Sequence, residues 1–314
     1  MRTWRSILQA RQELNKTKKT TVVTIGNFDG VHRGHQNIMR RIVELARQTE
    51  SISAVITFDS HSESLLGEQP LLLNTPQIRR EFLAGQGIDC LLEIKFDRNF
   101  AGLEPELFFR TWLVEGLHAK SVVVGYDFRF GAERRGDFML LQRLGLEAQV
   151  MIERVTPVYD GKEIISSSKI RQLLAEGRVE RANQMLGYAF VIEGEVVGGE
   201  QRGRKLGFPT ANIHLAPEYL LPCYGVYLVR MTVAQKDYFG LANVGIKPTF
   251  GRFMPLVEVY LFDLEINLYG RSARVEFLKF IRPENRFSGP EALKTQIQKD
   301  IEAAKSYLGF FEGA

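Results

Sequence analysis

His32, Gly34 and His35 close a stretch, residues 20–36, that reads TTVVTIGNFDGVHRGHQ. Its β-branched opening has the character of a buried strand and stops at Gly26, and apolar residues take helical spacing beyond the histidines. A strand that runs through a glycine turn into a helix start can hold a phosphate. The first helical N–H groups are free there, and the positive end of the helix dipole favours an anion. Histidines three residues apart share one face of that first turn, and Gly34 between them lets a ligand approach the backbone. The chemistry on offer is stabilisation of negative charge on a phosphate. The same residues would also serve a plain strand–turn–helix whose histidines cap the helix.

Four further stretches carry reactive side chains. Residues 125–137 read GYDFRFGAERRGD, where Tyr126, Phe128 and Phe130 alternate with Asp127 and Arg129. Aromatic surface beside charge suits a flat heteroaromatic ligand, and it equally suits packing against the domain. Residues 165–171, ISSSKIR, place serine capping oxygens beside Lys169 and Arg171 at a helix start. Residues 198–213, GGEQRGRKLGFPTANI, combine Gly198, Gly199, Gly203 and Gly207 with Arg202, Arg204 and Lys205. That basic loop could wrap phosphates, although its spacing is not a P-loop. Thr210 and Asn212 follow two apart. In an extended segment they share a face and offer oxygens to a Mg²⁺ carried by ATP. Period-two alternation over residues 257–264 puts Glu258 with Tyr260 and Phe262, opposite Val257, Val259 and Leu261. A lone carboxylate on such a face is either satisfied by a partner or used as a base.

These stretches need two kinds of scaffold. In the first half, strands over residues 20–25, 53–58, 90–96, 121–125 and 148–155 alternate with helices over 37–47, 76–85, 105–115 and 138–144. Thr75-Pro76 supplies an N-cap and a proline at the first helical position. This alternation predicts a doubly wound parallel sheet of the Rossmann-like kind, with its site at the strand C-terminal ends. Beyond a short helix over 178–186, ended by Gly187, the pattern changes. Strands over 188–197, 225–232, 238–244, 257–264 and 272–278, then one helix over 290–308, predict a small antiparallel β-barrel with a closing helix. At 314 residues the chain exceeds the usual span of one core, so the division expected is 1–187 and 188–314.

Composition narrows the function. A net charge of +4 is too small to argue for nucleic acid, though it suits polyanionic small ligands. Cys90 and Cys223 lie far apart in apolar contexts, which fits a reduced compartment and neither a zinc site nor a disulfide framework. Residues 1–19 show no signal-peptide core and no apolar run approaches the length of a membrane span. A cytoplasmic, soluble protein is expected, with no nucleic-acid or membrane partner.

Taken together, GNFDGVHRGH, VVVGYDFRFG and ISSSKIR resemble the HxGH nucleotidyltransferase superfamily. More closely, they resemble the flavin adenylyltransferase module of bacterial bifunctional riboflavin kinase/FAD synthetases. The resemblance implies that His32 and His35 stabilise charge on the α-phosphate of ATP while the phosphate of FMN attacks it and pyrophosphate leaves. It assigns Gly26, Asn27, Phe28, Asp29, Gly34, His61, Ser167, Lys169 and Arg171 to the nucleotide, and Asp127, Phe128 and Phe130 to the flavin. Two departures stand out. Residues 58–62, FDSHS, keep His61 but lack both prolines of the family's Phe-x-Pro-His-Pro pattern, and Tyr126 stands where the family favours an acid.

The second half, with GRKLGFPTAN, NVGIKPTF and Glu258, closely resembles riboflavin kinase. The resemblance implies that Glu258 accepts the 5′-hydroxyl proton of riboflavin, whose oxygen attacks the γ-phosphate of ATP. Thr210 and Asn212 would hold Mg²⁺, and Gly199, Gly203, Arg204 and Lys205 would cover the nucleotide phosphates. The stretch 282–288 and the closing helix also fit the family. Gly198 and Tyr260 stand where the family often has histidine, and Ile266 and Asn267 where it tends to have glycine and aspartate. Riboflavin, FMN, FAD and ATP are thus the expected partners, Mg²⁺ the expected cofactor, and no permanently bound organic group is required. A homo-oligomer is compatible with the sequence but not indicated by it.

Overall fold

The structure is a computed structural model that describes residues 1–59, 71–198, 207–216, 218–249, 252–262 and 268–312. His61, Gly199, Gly203, Arg204 and Lys205, together with Ser60, Ser62, Ile266 and Asn267, lie outside the described residues. The chain packs as two compact units, Met1–Leu72 with Pro76–Ser166, and Leu73–Thr75 with Ser167–Ala314.

The first unit is built on six parallel strands: β1 (Arg2–Trp4), β2 (Thr21–Ile25), β3 (Ile52–Phe58), β4 (Cys90–Ile94), β5 (Ala119–Val124) and β6 (Met151–Arg154). They lie in the order β1-β4-β3-β2-β5-β6, and every pairing is parallel. All residues of β2 and β3 are buried, as a sheet covered on both faces requires. Alternate residues feed two cores. Val22, Val55, Leu91 and Val123 pack with Met39 and Ile42 of α2 (Arg33–Gln48). Val23, Ile56, Leu92 and Val124 pack on the other side with Ala10 and Leu14 of α1 (Ile7–Thr17). The remaining helices of the unit include α3 (Pro76–Gly85), α4 (Arg98–Ala101), α5 (Pro105–Phe108) and α6 (Phe138–Glu147).

From β2 the chain winds outward through β3 and β4, then crosses to the other side to place β5 and β6. Strand order therefore reverses between β2 and β5, and a crevice opens outside their carboxyl ends. Two differences from the sequence expectation concern short or irregular pieces. Residues 1–19 contribute β1, which pairs with β4 and buries Trp4, whose indole N–H donates to Glu13 at 3.0 Å. The helix expected over 105–115 is α-helical only through Phe108, and Phe109–Val114 widen into a π-helical turn.

In the second unit, α7 (Ser167–Ala175) and α8 (Val179–Leu186) precede a closed barrel. Its strands are β9 (Phe190–Val197), β10 (Thr210–His214), β11 (Gly225–Val233), β12 (Lys236–Thr249), β13 (Arg252–Leu261) and β14 (Ser272–Pro283), and the last helix is α9 (Pro290–Glu312). The pairing is antiparallel in the order β10-β13-β12-β11-β14-β9, closed by β9 on β10. Val257, Val259, Ala242, Tyr227 and Phe277 fill the interior. On the outer face, Val226, Leu228 and Leu241 meet Ala304 of α9. Gly187 ends α8 in the left-handed conformation. Asn183 ties that helix to the barrel, donating to the Phe277 carbonyl at 2.8 Å and accepting the Phe190 N–H at 2.7 Å. Among the described residues no helix is long and apolar enough to cross a membrane.

Candidate active sites

The turn after β2 lies at the reversal of strand order. The Gly26 N–H donates to the Ile56 carbonyl at 3.1 Å, so the turn leaves the sheet in a fixed direction. Phe28 and Val31 then take positive φ values of 47° and 32°, a conformation non-glycine residues rarely adopt and one that concentrates at functional sites. Both side chains are buried, as is Asp29, which shows what holds the strained backbone: the rings and branches are anchored in the core beneath it. A Cβ at Gly26 would come within 3.1 Å of the Phe28 ring.

His32 is the N-cap of α2, and its Nδ1 accepts the His35 N–H at 3.4 Å. An accepting Nδ1 leaves the proton on Nε2, which is then the nitrogen able to donate outward. The two imidazoles stack with ring centres 3.6 Å apart, and the edge of Phe28 meets His35. Burial, and secondarily the charge of His32, hold His35 well below the ordinary histidine value. Its Nδ1 is buried with no hydrogen-bond partner among the described residues. Two stacked rings in so dry a place resist double protonation, so His35 is neutral at physiological pH. Gly34 is needed for packing: a Cβ there would lie 3.0 Å from the His32 ring and 3.6 Å from the Ile165 carbonyl.

Across the crevice, the loop after β5 folds back on itself through paired hydrogen bonds between Phe130 and Gly136. Phe128 and Phe130 stack at 5.6 Å, but their exposures differ. Phe130 is buried in the core, near Phe108, whereas Phe128 is half-buried and Asp127 exposed. Of the two rings expected to meet a ligand, Phe128 has open surface and Phe130 supports it from behind. Tyr126 is also exposed, and desolvation, followed by the charge of Asp127, raises its pKa. Ser167, Lys169 and Arg171 stand on α7 in the second unit.

Sequence reading missed Arg79. This arginine on α3 is 6% exposed, and it donates to the carbonyls of Asn27, at 3.2 Å, and of Phe58. Thr57 donates to the same Asn27 carbonyl at 3.2 Å. One buried guanidinium therefore joins the end of β3 to the turn after β2, with Glu93 at 3.8 Å to balance its charge. Helical spacing does put Arg79 on the same face as Leu83, and a cation on a buried face was the available signal.

On the barrel, register brings the expected kinase residues together. Asn212 of β10 and Glu258 of β13 are cross-strand partners, and Glu258 is in turn partnered by Asn243 of β12. Directly opposed residues point to the same face, so Asn212, Glu258 and Asn243 form one polar row on the outer face of the barrel wall, where Asn212 is buried and the other two are half-buried. Val257 and Val259, on either side of Glu258, are buried inside. Thr210 shares the face of Asn212 and is partnered by Tyr260, whose ring meets Phe208 edge-on at 5.4 Å. Thr210 and Asn212 supply hard oxygen donors, which fit Mg²⁺. An ion held by so few protein groups completes its shell with nucleotide phosphates and water.

Comparison with known proteins agrees with this two-site organisation. The FAD synthetase family pattern matches residues 14–169, and the riboflavin kinase pattern matches residues 186–308. The bifunctional riboflavin kinase/FMN adenylyltransferase of Escherichia coli K12 is 39% identical over 93% of this chain and 94% of its own. That of Haemophilus influenzae is 36% identical over 96% of this chain and 99% of its own. A crystal structure described as a macrolide-efflux protein from Streptococcus pneumoniae superposes with a TM-score of 0.85. It is 32% identical and covers 91% of this chain and 94% of that one.

Proposed function

Because the chain belongs to the bifunctional riboflavin kinase/FMN adenylyltransferase family, we propose a residue-level division of labour between its two sites. The two activities make FMN from riboflavin and FAD from FMN, each consuming ATP, and we assign Mg²⁺ as the accompanying metal and the cytoplasm as the compartment. The functional boundary is drawn near Gly187. Residues 1–187 are assigned to adenylyl transfer, because α7 carries Ser167, Lys169 and Arg171, and residues 188–314 to phosphorylation.

In the first reaction Glu258 accepts the proton of the riboflavin 5′-hydroxyl as that oxygen attacks the γ-phosphorus of ATP, and ADP leaves. Thr210 and Asn212 would hold the metal, whose contribution is neutralisation of phosphate charge. Gly199, Gly203, Arg204 and Lys205 are assigned to the nucleotide phosphates. The observation that carries this half is the register that pairs Asn212 with Glu258 on one face.

In the second reaction a phosphate oxygen of FMN attacks the α-phosphorus of ATP and pyrophosphate leaves. No enzyme nucleophile takes part. The stacked His32 and His35 donate to the charge that builds on the α-phosphate, a preorganised stabilisation of the kind that commonly dominates rate enhancement. The backbone of residues 26–29 with Gly34, and His61, is assigned to ATP. Asp127 and Phe128 are assigned to the flavin, with Phe130 as support.

Separate assays test the assignment. His32→Ala or His35→Ala should cut conversion of FMN to FAD by about 10²–10³-fold and spare riboflavin phosphorylation. Glu258→Gln should do the opposite, with a loss of about 10²–10⁴-fold. Wild-type adenylyl transfer in both histidine variants, or wild-type phosphorylation in Glu258→Gln, would overturn the corresponding half.

A further inference from the structure

Gly245 follows Asn243 on the same face of β12, two residues beyond the polar row. Its φ lies outside the left-handed region, so its backbone does not call for glycine. What calls for glycine is a side chain from another element. A Cβ at position 245 would lie 2.3 Å from Oε1 of Glu284 and 3.5 Å from Nδ2 of Asn243. Glu284 directly follows Pro283, the last residue of β14, whose Cα partner is Gly225. Strand end and missing side chain together lay this carboxylate flat over β12 beside Asn243. It is exposed, and among the described residues it has neither a hydrogen bond nor an ion pair. A free carboxylate held against a strand, rather than waving in solvent, is an acceptor waiting for donors.

We propose that Glu284 is a specificity-determining residue of the kinase site, accepting hydrogen bonds from the ribityl hydroxyls of riboflavin. This rests on the assignment of Glu258 to the terminal 5′-hydroxyl. Gly245 lies two strand residues, about 6.8 Å, from Asn243, and Asn243 is the direct partner of Glu258. A five-carbon polyol with its terminal oxygen at Glu258 can extend along the face to Glu284, which then meets the inner hydroxyls and not the reacting one. No proton is transferred to it. Its effect is on flavin binding, and it favours a polyhydroxylated side chain over a bare alkyl one.

The test uses the full chain and steady-state kinetics of FMN formation from riboflavin and Mg-ATP. Glu284→Ala and Glu284→Gln should raise the KM for riboflavin about tenfold or more, with the KM for ATP and kcat within about twofold. Gly245→Ala should reproduce that phenotype, because the new methyl group displaces the carboxylate. With a riboflavin analogue deoxygenated at the inner ribityl positions, wild type and Glu284→Ala should have matching KM values. A merely structural role would not make the effect of the substitution depend on those hydroxyls. An unchanged riboflavin KM in both Glu284 variants, or an equal increase for the analogue, overturns the proposal. Glu258→Gln run in parallel separates the two failures. If it abolishes phosphorylation while the Glu284 variants match wild type, the kinase site stands and this inference falls. If it keeps full activity, the kinase-site reading falls first and takes this inference with it.

Discussion

His35 is half-buried, with its Nδ1 shielded from water, and is held in its neutral form, which has a consequence for stability apart from catalysis. Its folded-state pKa is held well below the ordinary value of 6.5 by burial and by His32. Between that value and the lower folded one, the unfolded chain binds a proton that the folded chain refuses. Stability therefore rises with pH across this window and falls as the solution is acidified from about 6.5. His35→Asn removes the titrating group, so its stability should fall less on acidification than that of wild type. Urea midpoints measured at steps from pH 7.5 downward check this, and equal slopes in the two proteins would refute it. The same neutrality suits the assigned chemistry, since a neutral His35 adds no like charge to the His32 ring stacked on it. Arg79 makes the complementary point: the buried charge of this site is placed under the turn, where it fixes the Asn27 and Phe58 carbonyls, and not on the stacked rings.

At the scale of elements, the fold was readable wherever an element buries a full stripe or a full strand. Val22, Val23 and Ile25 announced β2, and Ile38, Ile42 and Leu45 announced α2. Alternation around Glu258 gave the correct inner and outer faces of β13. What escaped was decided by partners distant in sequence. The three residues of β1 have no periodicity of their own and become a strand only by pairing with β4. The π-helical turn after Phe108 carries Trp112, which packs against Phe100 and Phe108. The Asn212–Glu258–Asn243 row needed the register of three strands, which one-dimensional spacing does not contain. The attachment of α9 was equally hidden. Asp300, 3% exposed, accepts from the Arg282 guanidinium at 2.8–3.0 Å and from Gln296 at 2.8 Å. Removing one member of a buried pair strands the other, so Asp300→Ala should destabilise the barrel unit by about 3–5 kcal/mol. Its denaturant unfolding transition should move to lower urea, and an unmoved transition would show that apolar packing alone holds α9.

The whole molecule carries two assigned reactions linked by FMN, the product of one and the substrate of the other, and complementation can show whether that intermediate is free. A His32→Ala chain given riboflavin and Mg-ATP should accumulate FMN, because its barrel is intact. A Glu258→Gln chain should leave riboflavin untouched yet convert added FMN to FAD. Mixed in equal amounts, the two should convert riboflavin to FAD, since FMN released from one chain can be captured by the other. His32 and Glu258 belong to separate compact units, and the mixture should show a lag in FAD set by the build-up of dissolved FMN. Wild type given riboflavin should show the same lag at the same site concentrations. A lag that vanishes in wild type but persists in the mixture would mean that FMN passes between sites without equilibrating with solvent. Failure of the mixture to make any FAD, when each variant keeps its own reaction, would mean that the His32→Ala chain does not release the FMN it makes. Separating FMN from FAD over a full time course in all four samples distinguishes these outcomes.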